Sequence, residues 1–136
     1  MRIMAIDFGD RRTGVAVSDI SATIVGDTWV IVSDDLEHAA EEILTAASER
    51  SVGKIVIGYP KRMDGSIGFR AEKSEALAEV LRSKSEAEVI LWDERLTTAG
   101  AHKILDNVGK HGKKRKKALD IIAASLILES YLGSGA

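Results

Sequence analysis

The first strand-like runs of the chain are joined by connections too short to hold a helix, whereas each later run is followed by a helix-length segment. That change of spacing is what most limits the folds open to it. Arg2–Asp7 is an apolar, β-rich run and Gly14–Asp19 is a second, with Gly9-Asp10-Arg11-Arg12-Thr13 as the polar turn between them. So short a link makes the two strands antiparallel neighbours. Ile24–Val32 reads as a third strand, ending at Ser33-Asp34-Asp35-Leu36-Glu37, where a Ser or Asp can cap a helix and Glu37 can reach back to complete a capping box. Leu36, Ala39, Ala40, Ile43, Leu44 and Ala47 then fall on one helical face.

The second half alternates. Lys54–Tyr59 is a short strand ending at Pro60, and Met63–Gly68 is a glycine-broken loop. Arg70–Lys84 carries Leu77, Val80 and Leu81 on one side of a helix, and Glu88–Trp92 is another strand. Thr97 or Thr98 can cap a helix running through Asn107; Gly109–Gly112 forms a polar break with the cationic stretch, and Leu119–Leu132 is the final helix. The order predicts an α/β fold with a mixed sheet, antiparallel over the first three strands and then parallel, with helices on both faces. It fits the ribonuclease H-like architecture. A Rossmann domain is disfavoured because no G-x-G-x-x-G follows the first strand, and the P-loop pattern is absent. A length of 136 residues leads us to expect a single domain over 1–136.

Charge is unevenly spread. Lys110, Lys113, Lys114, Arg115, Lys116 and Lys117 hold six of the nineteen basic groups, so the other residues carry thirteen against twenty-one acidic ones. A basic run in an arbitrary protein is usually just a solvated face. Here it directly precedes an acid-bearing helix, which favours a role in holding phosphate. There is no cysteine, so a metal would sit on oxygen or imidazole ligands, and the three histidines do not cluster. The apolar run at the N-terminus meets a charge too soon for a signal peptide or a membrane span, so we expect a cytoplasmic protein with no membrane partner.

Three carboxylates stand out. Asp7 ends an apolar strand just before a glycine turn, the place where an α/β sheet presents side chains to a crevice, although turn formation alone would also explain it. Glu94 ends a different strand beside Asp93, which alternation turns to the opposite face; an exposed strand end paired with Arg95 is the plainer account. Asp120 lies in Leu119-Asp120-Ile121-Ile122-Ala123-Ala124, apolar nearly all round. A carboxylate buried there costs free energy unless a cation or hydrogen-bond donors compensate it. Oxygen ligands alone suit a hard cation, Mg²⁺ or Mn²⁺, and paired ions of that kind cut phosphodiester bonds.

Four ordered motifs then coincide: Asp7-Phe8-Gly9-Asp10-Arg11-Arg12-Thr13-Gly14 running to Asp19, Ile57-Gly58-Tyr59-Pro60 with Met63-Asp64-Gly65-Ser66, Trp92-Asp93-Glu94-Arg95-Leu96-Thr97-Thr98, and Lys114-Arg115-Lys116-Lys117 with Asp120-Ile121-Ile122-Ala123-Ala124. Together they resemble the YqgF/RuvX family over nearly the whole chain. The resemblance implies a ribonuclease H-like nuclease that processes the 5′ end of pre-16S ribosomal RNA, or alternatively a Holliday-junction resolvase homologue. It matches Asp7, Glu94 and Asp120 to the family's metal-binding acids. Arg11, Arg95 and the run Lys113, Lys114, Arg115, Lys116 and Lys117 suit phosphate contact. Asp19, Asp93, Thr97 and Thr98 are secondary candidates, the threonines explained equally well by helix capping. Structured RNA is the expected partner and branched DNA the alternative. Two competing functions remain: a module that binds structured nucleic acid without cutting it, and one lobe of a sugar-kinase or actin-type ATP-binding protein, for which the chain is short. Monomer and homodimer are both open.

Overall fold

The computed structural model describes residues 1–60, 68–93 and 112–135. Its elements are β1 (Arg2–Asp7), β2 (Arg12–Ser18), β3 (Val25–Val32), α1 (Leu36–Glu49), β4 (Val52–Tyr59), α2 (Phe69–Lys84), β5 (Glu88–Asp93) and α3 (Gly112–Gly133). The strands form one sheet in the order β3-β2-β1-β4-β5. β1 pairs antiparallel with β2 and β2 with β3, while β1–β4 and β4–β5 are parallel. The short links thus gave reversals and the helical crossovers gave parallel neighbours, as expected.

Alternation along the strands divides the side chains between two layers. Met4, Ile6, Val15, Val17, Ile55, Ile57 and Val89 pack under α1 and α2, against Ala40, Ile43, Leu77 and Leu81. Ile3, Ala5, Ala16 and Val56 face α3, against Ala124, Ile127, Leu128 and Tyr131. Further contacts pin α3 to this face. Trp92 Nε1 donates to Ser130 Oγ at 3.0 Å and its ring meets Tyr131 edge-on, centroids 5.2 Å apart. Lys54 Nζ donates to the Tyr131 hydroxyl at 2.7 Å, and that bond raises the lysine pKa.

Some boundaries differ from the sequence reading. β2 begins at Arg12, within the expected turn, because Arg12 and Thr13 pair with Val32 and Ile31. α1 is capped by Asp35, whose carboxylate accepts from the Glu37 amide at 3.1 Å. Glu37 does not close a capping box; its side chain pairs with Lys84 on α2 at 3.3 Å. α3 begins at Gly112 rather than Leu119, so the cationic run lies inside the helix. Lys and Arg are good helix formers and no glycine or proline interrupts 113–132, so propagation outweighs their mutual repulsion. The expected loop lies outside the described residues from Met63 as far as Ile67, as does the expected helix from Thr97 through Asn107.

Candidate metal centre and nucleic-acid interface

Asp7 is the last residue of β1 and shares the parity of Ile3 and Ala5, so it belongs to the face that α3 covers. Its register partner on β2 is Gly14. At Gly14 α3 lies against the strand: a methyl group built on it would lie 2.7 Å from the carbonyl carbon of Asp120, nearer still to the oxygen, and 3.4 Å from the Ala124 Cβ. Only a residue without a side chain lets the helix backbone rest there. Gly14 therefore seats Asp120 beside the end of β1. Two acids far apart in the chain are thus brought to one end of the sheet by the contact of Gly14 with the Asp120 backbone.

Both acids are largely shielded, and both face arginines. Asp120, 18% exposed at its side chain, accepts from Arg12 Nε at 2.8 Å, with Arg12 itself 38% exposed. The charge that the sequence reading left needing compensation is therefore met by an ordinary ion pair, and bound metal is not required to explain it. Asp7, 15% exposed, has Arg70 Nη2 at 4.0 Å from one oxygen; Arg70 opens α2 and is 63% exposed. On the adjoining turn Asp10 is paired with Lys73, and that hydrogen bond holds its carboxyl below the usual aspartate value. Nearby, Tyr59 donates to Glu75, which pushes the phenol up to about 12.

Arg12 and Arg70 were not singled out from sequence. A signal existed for Arg12, which stands two residues before Gly14 and so shares its face once the strand is taken back through the turn. For Arg70 there was none, because its approach to Asp7 depends on where α2 crosses the sheet. Arg11 is exposed, and none of the described ion pairs holds it; its carbonyl accepts from the Ser33 amide at 2.9 Å. Asp93 ends β5 beside Tyr59 of β4, on the parity of Val89 and Leu91 and so opposite to Ile90 and Trp92. Glu94, Arg95, Thr97 and Thr98 lie outside the described residues, as do the side chains of Lys113, Lys114, Arg115 and Lys116; Lys117 is exposed on α3.

Asp19 is not brought together with Asp7 and Asp120 in the structure. It follows the end of β2 opposite to Gly14, and antiparallel pairing puts it at the far edge of the sheet from Asp7. There it closes the β2–β3 turn, accepting from the Ser21 hydroxyl, the Thr23 amide at 2.7 Å, the Thr23 hydroxyl at 2.9 Å and the Ile24 amide at 3.1 Å. These bonds, the Ser21 hydroxyl first, hold its carboxyl well below the usual range. They explain the residue fully as a turn device.

The donor set suits a hard cation. Asp7 and Asp120 offer carboxylate oxygens in a shielded position, and Arg12 occupies one oxygen of Asp120, leaving the other. Among the described residues no group of three acids or histidines forms, and the third expected acid, Glu94, is not among them.

A family profile described as "RuvX: Holliday junction resolvase" matches residues 1–134. The chain belongs to the RuvX family. Among its relatives, a Clostridium tetani protein named "Putative pre-16S rRNA nuclease" is 42% identical over 134 residues, covering 98% of this chain and 97% of the other. A protein of the same name from Desulforamulus reducens is 40% identical over 136 residues, covering 100% and 99%. In fold the chain is similar to T. thermophilus RuvC in complex with a Holliday junction substrate, with a TM-score of 0.66 at 12% identity and coverage of 100% and 97%. The ribonuclease H-like architecture is therefore shared with the resolvases. Membership of the RuvX family makes this chain a nuclease, a hydrolase of phosphodiester bonds. Among the described residues no helix is long and apolar enough to cross a membrane.

Proposed function

We propose that the chain is a single-domain, cytoplasmic RuvX-family nuclease that processes the 5′ end of pre-16S ribosomal RNA, with Asp7, Glu94 and Asp120 holding Mg²⁺ or Mn²⁺. One observation carries the reading: Asp120 is seated on Gly14, the register partner of Asp7, so two of the three acids occupy one edge of the sheet. Glu94 enters as the third acid from the family resemblance of Trp92-Asp93-Glu94-Arg95, and it lies outside the described residues. A divalent cation bound to such carboxylates supplies the charge that activates a water and stabilises a leaving phosphate oxygen. The chain's part is to hold the carboxylates on two rigid elements and to keep them shielded from bulk water.

The test is cleavage of a labelled precursor RNA carrying the 5′ extension, with Mg²⁺ or Mn²⁺, by the wild-type protein and by Asp7→Asn and Asp120→Asn. Loss of cutting in both variants is expected; normal cutting by both would remove the site. A second reading, a nuclease of branched DNA, is favoured by the description of the family and by the resolvase fold. A four-way DNA junction in the same assay decides between them. Cutting of the junction but not of the RNA transfers the assignment, and binding without cutting of either supports the non-catalytic module.

A further inference from the structure

We propose that Arg12 and Arg70 form a phosphate clamp on either side of the paired carboxylates, receiving the nucleic-acid backbone at the cutting site. The proposal rests on the reading of Asp7 and Asp120 as that site. Arg12 spends only Nε on Asp120, and among the described residues nothing accepts from its two terminal nitrogens. Those nitrogens are the fork that matches two phosphate oxygens, and the side chain is exposed enough to present them. Arg70 lies 4.0 Å from Asp7, beyond hydrogen-bonding distance, and among the described residues no side-chain hydrogen bond takes its donors. The neighbouring cation, Lys73, is already bound to Asp10.

The two arginines come from different elements, β2 and the first turn of α2, and approach different acids. Among the described residues, the two arginines offset the charges of Asp7 and Asp120. The Arg12 fork offers its terminal donors to an anion with or without a cation on the acids, and a cation held there would add to the pull. The Nε bond also ties the Arg12 fork to Asp120, so a phosphate gripped by the fork is registered against that carboxylate.

The experiment measures binding without metal or turnover: fluorescence anisotropy of a labelled RNA hairpin and a DNA duplex in EDTA, over a salt series. Arg12→Ala and Arg70→Ala are each expected to weaken binding roughly tenfold, and to reduce the salt slope by about one phosphate contact. Arg12→Lys keeps a point charge, so it should restore the slope without the full affinity, and it guards against a folding artefact in the alanine variant. Lys84→Ala, which removes a distant surface cation, should leave both quantities unchanged. Asp120→Asn should bind at least as tightly as wild type. Wild-type affinity and slope in both arginine-to-alanine variants would overturn the clamp, as would equal losses in Arg12→Ala and Asp120→Asn. Either result is separate from the metal-dependent cleavage test of Asp7 and Asp120.

Discussion

Replacing Gly14 by Ala should detach α3 from the sheet edge. The added methyl would stand 2.7 Å from the Asp120 carbonyl carbon, closer to its oxygen, and 3.4 Å from the Ala124 Cβ. Its obstacle is helix backbone, which cannot rotate aside as a side chain can, so the whole first half of α3 must lift or tilt. Overpacking typically costs about 1–3 kcal/mol, and a backbone obstacle belongs at the upper end. Stiffening the unfolded chain offsets only about 0.4–1 kcal/mol of that. The net loss is therefore about 2 kcal/mol or more, a fall in Tm of roughly 6 °C at about 3 °C per kcal/mol. Thermal unfolding followed by fluorescence checks it, since Trp92 contacts Ser130 and Tyr131 of α3 and reports its release. Gly53→Ala is the control: there the methyl would meet the side chain of Met1, which can swing away. Cleavage by the Gly14 variant should fall as well, with all three acids still present. A Tm within about 2 °C of wild type, with activity retained, would refute the claim that Gly14 seats Asp120.

Asp35→Ala removes the α1 cap and should cost about 1 kcal/mol in urea unfolding, with no effect on nucleic-acid binding. Tyr59 should titrate near 12 by ultraviolet absorbance, and Glu75→Gln should bring it back towards the ordinary phenol value. Because the folded pKa is raised, this bond's contribution to stability is complete below about 10 and disappears as pH rises through about 12. Lys73→Met should return the Asp10 carboxyl towards its usual value by NMR titration; as a lowered carboxyl, Asp10 contributes stability above the usual aspartate range and loses it as pH falls. Replacing Lys114, Arg115, Lys116 and Lys117 by Ala should weaken nucleic-acid binding and flatten its salt dependence while stabilising α3 by a few tenths of a kcal/mol per charge removed. An unchanged salt slope would deny the run a phosphate role.

The sheet was legible in the sequence because the strands are short, apolar and separated by links whose length dictates direction. Where the sequence misled, polar residues inside elements were the cause. Arg12 and Thr13 read as turn yet pair with β3, and Thr13 is almost fully buried. Lys113–Lys117 read as part of a polar break yet continue a helix. Asp19 was a secondary candidate because it closes the first family-like motif, although its neighbours Ser21 and Thr23 supply turn donors to it. Asp7 was singled out from its strand end and Asp120 from its apolar helix, one at a time. That Asp120 is seated on the register partner of Asp7 was not readable, because it depends on a glycine far from Asp120 in sequence. Nor was the Arg12–Asp120 pair, which spans 108 positions.

The cationic run acquires a physical meaning only from its place in α3. A helix N-terminus carries a partial positive charge, and cations there are disfavoured by the same field that would welcome them at the other end. α3 has no acidic residue in its first turn and no basic residue in its last, the reverse of the arrangement that would stabilise it. Its burial is concentrated further along, at Ala124, Ile127, Leu128 and Tyr131, which hold the helix against the sheet whatever its first turns cost. A device for solubility alone would sit as well on any face and better at the opposite end. What the arrangement does provide is an anion-seeking helix end on the same rigid element as Asp120, with Lys117 one turn before the acid. If the quadruple alanine variant loses its salt slope, a polyanion held at that end lies on the same helix as Asp120, and its binding relieves the unfavourable charge within the helix.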